Sequence, residues 1–343
     1  MAEHGRRPTE EEDAVSAPLP VSYGGLLYWD RTLPLLLGQV TPEGVALDYD
    51  VHESAPALFD RQIQEQIYDV SEMSASSFLV LVGRGDDRFV GLPIYVSRNF
   101  RQGQIYVSDR SGIAEPADLR GKRVGVLEYQ MTAALWIRAF LLHDYGVDPS
   151  EIRWQTGGLT KPQWQERLPV DLPSGVSLER IPAGKTLEGM LAAGELDALI
   201  TAQPPQAFRA GQTSPIRRLF SDYEATERAY YQRTGLFPVM HLVVIRRDVY
   251  EANRWLARSL LEAFEAAKEQ GQRRLRAITG LAVGLPWLAP AIDTVDQMFG
   301  GDAFPYGMAP NERVLEAMTQ YAHEQGLTPR KVDVGELCAP ETV

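Results

Sequence analysis

Short apolar runs alternate with stretches of helical spacing from about residue 21 onward. The runs over 25–29, 45–51, 67–70, 89–96, 104–107, 123–127, 196–201 and 240–246 are rich in branched and aromatic residues and predict strands. Helical patterns lie between them. Residues 56–67 open on a proline and place Leu58, Phe59, Ile63 and Ile67 on one side. Residues 132–145 carry Leu135, Trp136, Ala139, Phe140 and Leu142 and stop at Gly146, and 186–193 stop at Gly194. Residues 249–270 repeat Leu256, Leu260, Leu261 and Phe264 near helical spacing, and a further helix begins near Phe78. Strands that alternate with helices predict an α/β fold. The stretch 156–175 is rich in proline and glycine and weakly periodic. A structureless segment of that length in a compact domain is read as a lid, an oligomer contact or a surface excursion with no role, and the second of these would make a homo-oligomer a partner.

With 343 residues and 44% hydrophobic content, the chain has material for about two domains. Its net charge of −12 argues against a nucleic-acid partner, which would need a basic face. A few clustered arginines can still bind a small anion. Cys338 is the single cysteine, so no intrachain disulfide and no thiolate metal cluster can form. Residues 1–20 hold two arginines and five acids with no apolar core, which reads as a disordered tail and not a signal peptide. No stretch approaches the roughly 20 apolar residues of a membrane span. The expectation is a cytoplasmic protein with no membrane partner.

The segment Asp118-Leu119-Arg120-Gly121-Lys122, followed by a strand and then a helix, resembles the entrance to the second lobe of a type II periplasmic binding protein. That resemblance implies a two-lobed fold with a cleft between lobes. The first lobe would be discontinuous, 21–107 plus 236–343, and the second would span 108–235. Seven ordered segments then resemble the 4,5-dihydroxyphthalate decarboxylase family: YWDRT at 28–32, DVSEMSASS at 69–77, PIYVSRNFR at 93–101, EYQMT at 128–132, PAGKTL at 182–187, FPVMH at 237–241 and FPYG at 304–307. This resemblance implies a carboxy-lyase that converts a small anionic aromatic substrate, 4,5-dihydroxyphthalate, to protocatechuate and carbon dioxide. The chemistry is intelligible with no cofactor, because a hydroxyl para to the departing carboxylate can push electrons toward the carbon to be protonated. The protein must then hold two carboxylates, draw proton density from the phenol and deliver a proton. A solute-binding or sensing protein for a small aromatic acid is the alternative on the same fold, since fold alone does not decide function.

Within these segments, Arg31, Arg98 and Arg101 are the expected carboxylate clamps, each following a predicted strand and each offering a planar fork of donors. Ser74, Ser76 and Ser77 precede a helix, where they either cap it or bind an anion. Glu72 beside an anionic substrate would repel it unless protonated. Tyr129, Gln130 and Thr132 hold the equivalent place in the second lobe. Tyr129 would stack on or hydrogen-bond the ring, and Glu128 would accept a phenolic proton. Lys185 lacks the glycine spacing of a phosphate loop and is expected to face the cleft as a further cation. None of the five histidines has the spacing of a metal pair, so no metal is expected. His241 alone enters an apolar strand, where it is either a structural histidine or the group that handles the proton.

Overall fold

The computed structural model describes residues 17–162, 164–209, 214–277, 280 and 283–343. Two sheets organise them. The first has the order β2-β1-β3-β11-β4, where β1 is Leu19–Gly25, β2 Val45–Val51, β3 Val70–Ser74, β4 Phe89–Arg98 and β11 Val239–Arg246. The second has the order β10-β5-β9-β6-β7-β8, with β5 at Ile105–Ser108, β6 Arg123–Val126, β7 Arg153–Thr156, β8 Ser177–Arg180, β9 Ala198–Ile200 and β10 Ile216–Arg218. The chain leaves the first sheet after β4, builds the second, and returns as β11, which runs antiparallel to both β3 and β4. The alternation of strands and helices predicts this α/β class, and the resemblance to the type II periplasmic binding proteins implies its two lobes.

Beyond the two chain crossings, the lobes are joined by packing. Met73, Phe78 and Tyr95 of the first share one apolar cluster with Val126, Tyr129, Trp136 and Trp154 of the second. Trp136, on the helix Thr132–Tyr145, donates its indole N–H to the carbonyl of Val239 in β11 at 3.0 Å. Exposing such a seam costs about 1.5–3 kcal/mol for each buried Leu- or Phe-sized side chain.

Several expected boundaries move. Residues 1–16 of the expected tail lie outside the described residues, while Leu19 and Pro20 already belong to β1. The lobe boundary expected at 107 falls inside β5, which pairs wholly within the second sheet. Of the strand expected over 25–29 only Gly25, the end of β1, is in a strand; the chain then leaves the sheet, with Leu26 N–H drawn to the carboxylate of Glu72 and Tyr28 N–H to Thr32 Oγ1. The strand itself is β1, Leu19–Gly25, with Gly24 where a Cβ would stand 2.3 Å from the ring of Tyr68. The strand expected over 67–70 is β3, displaced toward the polar residues Ser71, Glu72 and Ser74, all buried. The helix expected over 249–270 is broken at Asn253 into Arg247–Ala252 and Trp255–Arg276. Among the described residues no helix is long and apolar enough to cross a membrane.

Candidate functional site

A cavity of about 500 Å³ opens at the carboxyl ends of β3, β6 and β9, where Ser74, Leu127 and Thr201 line it. Ligands of open α/β sheets bind at this end of the strands. Leu26, Pro56, Phe59, Leu127, Met131 and Leu159 give it apolar walls. Its polar groups come from both lobes.

His241 sits near the start of β11, with register shifts on both sides of it. Regular pleating would turn neighbouring side chains to opposite faces, and an irregularity of this kind re-aims them. Met240 and His241 accordingly both line the cavity. The imidazole Nδ1 lies 2.6 Å from Oε1 of Glu72 in β3, whose side chain is fully buried. The same carboxylate accepts Tyr28 O–H at 2.7 Å and Leu26 N–H at 2.9 Å. A carboxylate with three donors is held in one orientation and keeps the ring proton on Nδ1. Phe59 meets the ring edge-on at 4.8 Å, and among the described residues Nε2 has no hydrogen-bond partner. The arrangement is a histidine oriented through one nitrogen and offered to the cavity through the other.

Across the cavity stands Glu128, which follows β6. Its Oε2 is 3.2 Å from Arg167 Nη2 and accepts Gln130 Nε2 at 3.2 Å, while Oε1 accepts Arg167 backbone N–H at 3.1 Å. Burial raises the pKa of Glu128, and the charge of Arg167 opposes the rise. Arg101, in the crossing after β4, donates Nε to the sulfur of Met240 at 3.0 Å and Nη1 to Gln104. Burial pushes its pKa down to about 10, which still leaves it cationic at neutral pH. Ser74 and Thr132 meet across the lobes, Oγ to Oγ1, at 2.9 Å and share the cavity wall.

The other expected site residues lie behind this wall or far from it. Arg31 donates to the carbonyl of Val96 at 2.8 Å and is sandwiched between the rings of Tyr28 and Phe304, so it braces Tyr28 and does not line the cavity. Arg98 is bound to the carbonyl of Phe237 at 3.0 Å and to the side chain of Asn311, tying β4 to distant segments. Tyr129 is a core residue, packed on Trp154 with the guanidinium of Arg138 3.8 Å above its ring. Lys185 is half-exposed and paired with Glu195, away from the cavity. Ser76 and Ser77 hold Gln130, through its carbonyl at 2.5 Å and its amide oxygen at 3.0 Å, and Gln130 in turn holds Glu128. These three position a carboxylate and do not line the cavity themselves. Ser74 also caps the helix Ala75–Gly83.

Three contributions were not foreseen. Glu72 is the partner of His241 and does not itself line the cavity. Phe59 sets the ring face. Arg167 comes from the aperiodic stretch, where it stands beside Glu166 and shares its charge with Lys161, so no local signal set it apart. Cys338 is buried, its thiol pushed up to about 12, and plays no part in the cavity. Among the described residues no group of three or more His, Cys, Asp or Glu side chains stands close enough to hold a metal ion.

No family model matches the chain. The periplasmic aliphatic sulphonate binding protein SsuA of Escherichia coli superposes with a TM-score of 0.53 at 15% identity, over 95% of this chain and 99% of the other. A DSZB variant in complex with biphenyl-2-sulfinic acid gives 0.51 at 17% identity, over 94% and 96%. At such identities the likeness is one of fold, that of the periplasmic binding proteins. Sequence reaches further: a curated 4,5-dihydroxyphthalate decarboxylase of Pseudomonas putida is 36% identical over 202 residues, 59% of this chain and 78% of the relative. Another, of Comamonas testosteroni, is 35% identical over 315 residues, 92% of this chain and 95% of the relative. The chain therefore belongs to the 4,5-dihydroxyphthalate decarboxylase family, a family of carboxy-lyases.

Proposed function

We propose that the chain decarboxylates a hydroxylated aromatic dicarboxylate, with 4,5-dihydroxyphthalate as substrate and protocatechuate and carbon dioxide as products. The observation that carries this reading is the Glu72–His241 pair, aimed into a cavity that also holds arginine. A cavity of about 500 Å³ suits a single benzene ring with its substituents. Arg101 holds a carboxylate. His241 Nε2, as imidazolium, gives its proton to the ring carbon that bears the leaving carboxylate, while the para hydroxyl pushes electrons toward that carbon. The carbon–carbon bond then breaks, its electron pair restores the aromatic ring, and carbon dioxide departs. One proton enters and one carbon dioxide leaves. Glu72 stabilises the imidazolium through Nδ1, and Glu128 accepts proton density from the phenol. Apolar walls strengthen each of these charge interactions by lowering the local dielectric.

The fold likeness to SsuA favours a second reading, a binding protein for a small aromatic acid. The seam between the lobes supports the enzyme instead. Ser74–Thr132, Trp136–Val239 and the shared apolar cluster would all separate if the lobes swung apart around a ligand. Incubating the protein with 4,5-dihydroxyphthalate, before and after chelator treatment, and following carbon dioxide and protocatechuate tests the proposal. Binding without turnover would leave the binding-protein reading. Activity restored only by metal would end the cofactor-free part of the expectation.

A further inference from the structure

Parallel neighbouring strands are usually connected by a helix. β7 and β8 are parallel neighbours, yet among the described residues the connection over 157–176 contains no helix. It is nevertheless fastened down. Leu168 is buried, and Val170 and Leu172 pack against the cluster shared by both lobes. Gln64, on the first-lobe helix Ala55–Glu65, donates to the carbonyl of Arg167 at 3.1 Å, and Arg84, which ends the helix Ala75–Gly83, donates to the carbonyl of Pro169. The connection is a strap from the second sheet onto the first lobe, and the Gln64 contact sets Arg167 into the cavity wall.

Arg167 is the least satisfied cation there. A guanidinium presents five donors in a fixed fork, and Glu128 engages only Nη2. Nε is buried and has no hydrogen-bond partner among the described residues. The ring of Phe59 lies 5.7 Å from the guanidinium and leaves no acceptor on that side. A buried donor fork with an unused edge, lining a cavity whose other cation is Arg101, is built to receive a planar acceptor such as a carboxylate.

We propose that Arg167 determines specificity by binding the second carboxylate of an ortho-dicarboxylate, taken from its resting contact with Glu128. The choice of an ortho-diacid rests on the decarboxylase reading. Arg101 and Arg167 enter from the lobe crossing and from the strap, so a ligand with two carboxylates engages both cations and a monoacid engages one. Because Glu128 competes for the same fork, the carboxylate that withdraws Arg167 also releases Glu128 for the phenol.

Calorimetry with phthalate and benzoate, neither of which carries the hydroxyl needed for turnover, tests this without recourse to activity. The wild type should prefer phthalate by roughly tenfold or more, the worth of one charge-assisted contact. Arg167→Met should lose that preference with benzoate affinity little changed, and Arg167→Lys should keep part of it. Glu128→Gln, which removes the competitor, should tighten phthalate binding. A wild type without preference, a folded Arg167→Met with the preference intact, or equal loss of both acids would overturn the proposal. Should Arg167→Met not fold, Arg167→Lys and Glu128→Gln report the same preference. A phthalate preference that depends on Arg167, in a protein that forms no protocatechuate, would sink the decarboxylase reading and leave this one. Protocatechuate formation with a preference indifferent to Arg167 would do the reverse.

Discussion

Replacing Glu72 by glutamine isolates the contribution of the buried carboxylate with almost no change of shape. Glu72 accepts three hydrogen bonds, from His241 Nδ1 at 2.6 Å, Tyr28 O–H at 2.7 Å and Leu26 N–H at 2.9 Å. An amide has one acceptor oxygen, so its NH₂ must face at least one of these donors, and the charge that favours an imidazolium is gone. A hydrogen bond to a charged partner contributes about 1.5–3 kcal/mol, and each 1.36 kcal/mol is a factor of ten, so turnover should fall roughly 10- to 150-fold near neutral pH. Substrate affinity should change little, because Glu72 lies behind His241 and is fully buried. The assay is protocatechuate formation at fixed pH, with affinity from calorimetry and folding from circular dichroism and thermal melts. A folded Glu72→Gln protein with near-normal turnover would refute the assignment of His241 as the proton carrier.

Removing the imidazole should be at least as severe: His241→Asn is expected to lower turnover about 100-fold or more, the usual loss for a general acid–base group, with substrate binding preserved in calorimetry. At Gly158 a Cβ would stand 1.7 Å from the carbonyl oxygen of Lys161, so Gly158→Ala should shift the strap and weaken phthalate binding more than benzoate binding. Burial pushes the thiol of Cys338 up to about 12, so it should resist a thiol reagent at pH 8 in the native protein and react at once in urea. Only the unfolded chain ionises this thiol between its ordinary range and pH 12, so its contribution to stability is lost as the pH rises. Urea melts at pH 8 and 10 should therefore decline more steeply for the wild type than for Cys338→Ala.

Elements whose signal is local can be read from the residue order. The helix Thr132–Tyr145 runs between the residues its spacing marks, and Gly146 takes the left-handed conformation, φ +64°, that ends it. Strands 45–51 and 123–126 and the helix ending at Gly194 were legible for the same reason, and so was the α/β class. His241 could be singled out because a histidine inside an apolar run is a local anomaly. The role of a charged side chain is not local. Arg31 and Arg98 look like clamps from their positions after strands, yet they brace the fold through partners 65 and 213 residues away. Glu72 looks repulsive until His241, 169 residues on, stands in front of it. Arg167 sits in a stretch with no periodicity, and its place in the cavity depends on Gln64, 103 residues before it. Periodicity records which way the backbone turns its side chains, whereas the work of a buried charge is set by the donors and acceptors that folding brings to face it, and only the tertiary structure decides those.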